Sequence, residues 1–163
     1  MKALATTLAI GSFAAAASAD QFFFDAIIDG SQEVSPNASP ATGTATGVYD
    51  DATNEFTFAW SITDNLIGTP SAPGAHIHNA PAGVNGPIVF AMSMDAWPLD
   101  GNDVWSGLSQ NEVDELFAGN LYFNFHTSQF PGGEVRGQIR FIPTPSSLGV
   151  LALGGLVAVR RRR

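Results

Sequence analysis

Cysteine is missing from all 163 residues, which removes disulfides, thiolate metal sites and cysteine nucleophiles, whatever compartment the protein occupies. Lysine is almost as scarce, with none after Lys2, so Schiff-base chemistry and a lysine-centred phosphate loop are excluded too. Positive charge is rare in the body as a whole. Lys2 opens the chain and Arg160, Arg161, Arg162 and Arg163 close it, which leaves only Arg136 and Arg140 among 15 acidic residues that all fall between Asp20 and Glu134. A body this acidic repels phosphate backbones, so nucleic acid is not a partner, whereas cations are well suited to it. No G-x-S-x-G occurs, no acidic run has calcium-loop spacing, and no pair of carboxylates stands out for glycoside chemistry. The cluster Asp95, Asp100, Gly101, Asn102 and Asp103 reads as a polar turn.

Uninterrupted apolar runs are short as well, and the two that occur lie at the ends. Residues 1–19, MKALATTLAIGSFAAAASA, combine one positive charge, an apolar run and small residues at Ala17, Ser18 and Ala19, the pattern of a secretory signal peptide cut by signal peptidase before Asp20. Residues 142–163, IPTPSSLGVLALGGLVAVRRRR, hold a proline pair, an apolar stretch at 148–159 and four arginines. As a transmembrane helix that stretch would extend only about 18 Å against roughly 30 Å of hydrocarbon. The arginines would keep the C-terminus cytoplasmic while the leader sends the body outward. This tail resembles a PEP-CTERM sorting signal, the bacterial surface tag of proline motif, apolar segment and arginine cluster. The resemblance implies an exosortase-like protease as partner, an inner-membrane intermediate, and final placement at the cell surface or in an exopolysaccharide matrix. Thr144 stands between Pro143 and Pro145 where the usual motif has Glu.

Between the ends, residues 20–141 alternate period-2 segments with turn residues, which predicts one all-β domain, an antiparallel sandwich or flattened barrel of about seven short strands with one short helix. Phe22, Phe24, Ala26 and Ile28 share a face, as do Phe56, Phe58, Trp60 and Ile62. Further strands are expected at 42–49, 75–78, 88–94, 121–126 and 134–141. In the last, Val135, Ile139 and Phe141 face one way and Glu134, Arg136, Gln138 and Arg140 the other. Ser109 and Glu112 form a capping box ahead of Val113, Leu116 and Phe117, with Gly119 as the stop. Residues 30–40 and 65–74 read as surface loops.

The three histidines carry the candidate chemistry. His76 and His78 stand at i, i+2 and so share a strand face, and His126 lies on another predicted strand beside Tyr122 and Asn124. Two imidazoles from one strand and a third from its neighbour suit copper or zinc. Neutral imidazole is the ligand, so such binding weakens as pH falls through roughly 6.5. The competing interpretation is that the rings only hydrogen-bond to loop backbone. Met92 and Met94 would be soft copper ligands, but alternate methionines on an apolar strand serve more readily as core filler.

The segments DGSQEVSP at 29–36, ATGTATG at 41–47, AHIHNAPAGVNGPIVF at 75–90, LFAGNLYFNFHT at 116–127 and FPGGEVRGQI at 130–139 together resemble the CHRD domain, the module named for chordin and widespread in exported bacterial proteins. The resemblance implies an all-β domain without established enzymatic activity. The leading expectation is therefore an exported, non-catalytic surface or matrix module, with envelope polysaccharide as a candidate contact. The alternative is a mononuclear metal protein on His76, His78 and His126.

Overall fold

Strands form wherever aromatic and β-branched residues recur at every second position, because alternate side chains then pack on a single face of a pleated ribbon. The computed structural model describes residues 20–143, so the signal peptide and nearly all of the sorting tail expected from the sequence lie outside the described residues. Nine strands appear: β1 (Gln21–Asp29), β2 (Thr42–Asp50), β3 (Glu55–Ile62), β4 (Pro70–Asn79), β5 (Ile88–Ser93), β6 (Asp100–Ser106), β7 (Leu121–Thr127), β8 (Val135–Gln138) and β9 (Arg140–Ile142). Among the described residues one α-helix, α1 (Gln110–Ala118), precedes β7. Every pairing is antiparallel, and the sheet runs β5-β4-β7-β8-β1-β2-β3-β6, with β9 also on β1. The sheet curls until its two ends meet through side chains, Phe90 of β5 stacking on Trp105 of β6 at 5.3 Å between centroids. The expected flattened all-β barrel with one helix is what forms.

Three local expectations are corrected. Residues 70–74 belong to β4 rather than to a loop, and residues 100–106 are strand β6, not a polar turn. The latter lies at the sheet edge on β3, where Trp105 is its one buried side chain, so no alternation of apolar residues marks it. The last strand divides at Ile139 into β8 and β9.

The core is aromatic. Phe24, Phe56, Phe58, Trp60, Phe123 and Phe125 are buried inside the barrel, and α1 covers one end by setting Phe117 edge-on against Phe22 and Phe24 at 5.0 and 5.4 Å, a geometry favoured by the ring quadrupoles. The helix begins on the expected capping box and ends with Gly119 at φ 74°, in the left-handed region. Ser109→Ala is expected to lower stability by about 1 kcal/mol through loss of the cap. Thermal unfolding checks this against an exposed serine changed the same way.

One strand departs from the inside-outside rule. All seven residues of β7 are buried: Leu121, Phe123 and Phe125 face the aromatic core, and Tyr122, Asn124 and His126 lie beneath loops on the opposite face. A polar strand face taken out of water must find partners or a ligand.

Candidate metal centre

The pairing of β4 with β7 places His76 opposite Asn124 and His78 opposite Tyr122. His126, two residues beyond Asn124 on the same face, then falls diagonally beside His76. The rings meet, with centroids 5.1 Å apart for His76 and His126, 5.7 Å for His76 and His78, and 6.2 Å for His78 and His126. One nitrogen from each ring lies within 4.8 Å of the other two, the kind of cluster that holds a metal ion. All three expected ligands are therefore brought together. Met94 is 62% exposed and Met92 packs against the apolar core, so neither belongs to the cluster.

Backbone carbonyls set the protonation of two rings. His78 Nδ1 lies 2.9 Å from the Gly86 carbonyl and His126 Nδ1 2.9 Å from the Pro131 carbonyl. A carbonyl only accepts, so each Nδ1 carries the proton, and the lone pair is left on Nε2. Both Nε2 atoms are buried without a hydrogen-bond partner, and so are both nitrogens of the fully buried His76, although the Pro73 carbonyl lies close enough to favour its protonated form. Orienting one imidazole nitrogen by a carbonyl while the other faces an ion is the usual arrangement around protein-bound metals. Burial lowers the proton affinity of all three rings, for His126 down to about 4. The neutral, ligand-competent form is thus the resting one.

These strands and the loops between them coincide with a family pattern: residues 24–139 match the model of the CHRD domain. The chain belongs to the CHRD family. No curated protein and no solved structure matches it. In this CHRD domain the loop at 80–87 lies over the histidine face and is fastened from below. Arg136, only 1% exposed, donates to the carbonyls of Val84 and Pro81, at 2.9 and 3.2 Å. Gln138 Nε2 donates to the Ala80 carbonyl, and the Tyr122 hydroxyl accepts from the Gly86 amide. Tyr122 lies between a neutral imidazole and a guanidinium. Its ring stacks on His78 at 5.0 Å and 13° on one contact, and the Arg136 guanidinium carbon lies 3.4 Å from its centroid on another.

The CHRD domain also buries two acids that sequence reasoning left on the surface or in a loop. Glu134 accepts four hydrogen bonds, from the amides of Ile67 and Gly68 and the hydroxyls of Ser39 and Thr127. Glu33, beside Arg136, has its pKa pushed up to about 7 by burial, although the guanidinium pulls the other way. Glu33 Oε1 and Asn124 Oδ1 both lack partners and both crowd the space that a Cβ on Gly133 would occupy, at φ 120°, so only glycine fits there. The sequence signal for this layer is Arg136: one of two basic residues in an acidic body, on a strand whose other face is apolar.

Proposed function

We propose that the protein is an exported CHRD module whose function is to bind a single transition-metal ion through His76, His78 and His126. The observation that carries this reading is the set of buried, unpartnered ring nitrogens aimed at one another. Leaving a polar group unsatisfied in the interior costs about 1–3 kcal/mol, and here the same clustering gathers several such atoms at one point. Backbone pairing accounts for only one nitrogen on each of His78 and His126. An ion held by three imidazoles would supply Lewis acidity or one-electron chemistry at a buried position. The side chains of this chain do the holding: His78 and His126 are fixed by the Gly86 and Pro131 carbonyls, and the 80–87 loop excludes water.

The location rests on the two ends of the sequence. The leader at 1–19 supports export, and the tail at 142–163 supports retention in the inner membrane and transfer to the surface or matrix by an exosortase-like protease. Among the described residues no helix is long and apolar enough to cross a membrane; the apolar stretch at 148–159 lies outside them. Protein purified from the envelope of an exporting bacterium is expected to begin at Asp20 and to contain about one metal ion per chain. His126→Ala is expected to strip that metal while circular dichroism keeps its β signature. Wild-type protein without metal after reconstitution with copper and zinc would refute the metal reading, and a retained leader would refute export.

A further inference from the structure

We infer that the three-histidine site is built for copper(I) in preference to zinc(II) or copper(II). This rests on the metal reading above and specifies which ion the site selects.

Charge in the cluster favours a monocation. The cluster consists of three neutral imidazoles and includes no carboxylate. Neither buried acid belongs to the cluster: Glu134 is committed to its four donors, and Glu33, within the field of Arg136, has its pKa pushed up to about 7 by burial. The closest fixed charge coupled to the rings is positive, since Arg136 stacks on Tyr122 and Tyr122 on His78. Moving an ion from water into such surroundings costs free energy that grows with the square of its charge, so an uncompensated dication is penalised about fourfold more than a monocation of similar size. The acidity of the chain as a whole does not reverse this, because exposed carboxylates are screened over about 10 Å in ordinary salt.

The number of available donors favours copper(I) as well. Zinc(II) takes a fourth ligand, a protein group or a water, and copper(II) favours a tetragonal set of nitrogen and oxygen donors. Among the described residues no fourth His, Asp or Glu joins the cluster. The free nitrogens are buried beneath the 80–87 loop and the Pro131 turn. Copper(I), a closed-shell ion with no geometric demand of its own, is satisfied by three nitrogens. The rings are also held against rearrangement, since His78 and His126 are each tied to a backbone carbonyl at 2.9 Å.

The test uses the full-length chain, metal-free. Anaerobic titration against the copper(I) complex of bathocuproine disulfonate is run beside zinc(II) and copper(II) titrations in matched competitor buffers. One equivalent of copper(I) is expected to bind at least about 100-fold more tightly than either dication. His76→Gln should abolish that advantage. Asn124→Asp, which sets a carboxylate on the strand position opposite His76, should narrow the copper(I)-over-zinc(II) ratio by about tenfold or more, since a nearby negative charge favours the dication. Zinc(II) or copper(II) binding as tightly as copper(I), or an Asn124→Asp ratio that does not move, overturns the inference and leaves the site itself standing. Failure of all three ions to bind overturns both.

Discussion

Glu134→Ala is expected to cost about 4 kcal/mol of folding stability, counting lost hydrogen bonds to a charged acceptor at 1.5–3 kcal/mol each and allowing the freed hydroxyls to find new partners. The carboxylate is fully buried, and it joins three separate stretches of chain. Ser39 Oγ reaches it at 2.6 Å, the Ile67 and Gly68 amides at 2.6 and 2.9 Å, and Thr127 Oγ1 at 2.7 Å. Removing it leaves two backbone N–H groups in the interior with nothing to donate to, and these cannot rotate away. Burial by itself would raise the pKa of this group, but the four donors outweigh burial and hold it below the ordinary glutamate value. The stabilisation is therefore complete above that ordinary value and is lost as pH falls through the lower, folded-state one. In a domain of this size the loss should lower the thermal midpoint by about 10 °C or more. Glu134→Gln, which keeps the shape but replaces one acceptor oxygen with a donor, should fall between wild type and alanine. A midpoint for Glu134→Ala within about 3 °C of wild type would show that the carboxylate does not tie these segments together.

The second large effect is on the pH profile of the metal-free protein. An unfolded histidine takes up its proton near pH 6.5, whereas His126 in the fold resists until about 4, through burial first and repulsion from His76 and His78 second, with the Pro131 carbonyl opposing. The unfolded state therefore binds more protons across that window. Stability from this group is complete above about 6.5, is lost as pH falls, and the loss ends near 4 at about 3 kcal/mol. His76 and His78 are shifted the same way. Glu33 has the opposite sign. Its folded pKa of about 7 lies above the ordinary glutamate value, so its contribution is present at low pH and is lost as pH rises from that ordinary value through about 7. The two groups oppose each other over most of the window, with Arg136 the fixed charge facing both Glu33 and His78. In thermal unfolding with a chelator present, Glu33→Gln should steepen the loss of stability on acidification, and His126→Gln should flatten it. Parallel profiles for wild type and His126→Gln would show that the ring does not stay neutral in the fold. The same burial means that proton competition for a bound metal should begin below the pH 6.5 that an exposed histidine suggests.

The histidine cluster was legible because strand periodicity is short-ranged: two histidines two residues apart must share a face, and Leu121, Phe123 and Phe125 assign His126 to the other face of its own strand. That the two faces are the same face of one sheet depends on the β4–β7 register, which is a long-range pairing no local pattern contains. The buried polar layer was less legible. Glu134, just ahead of β8, and Arg136 within it stand at outward positions, and outward means solvent only when no loop crosses above. Here residues 31–37 and 80–87 cross, and Glu33, in a Ser- and Pro-containing stretch, gives no hint of burial. Strand β6 was missed for the reverse reason. An edge strand with one face in water needs few apolar residues, and its Asp and Asn content reads as a turn.

That edge has a consequence for crowding. The barrel is joined between β5 and β6 by the Phe90–Trp105 stack rather than by a backbone ladder, so the outer rim of β6 keeps peptide groups that another chain could pair with. Asp100 and Asp103 sit on this rim, with Val104 its one large exposed apolar residue. Like charges directly opposite destabilise a strand pair, so two copies approaching rim to rim, antiparallel, bring carboxylates together before any ladder closes. Crowded barrels are thereby expected to stay unpaired along this rim, with the aspartates that look like a turn in the sequence acting as its spacing device.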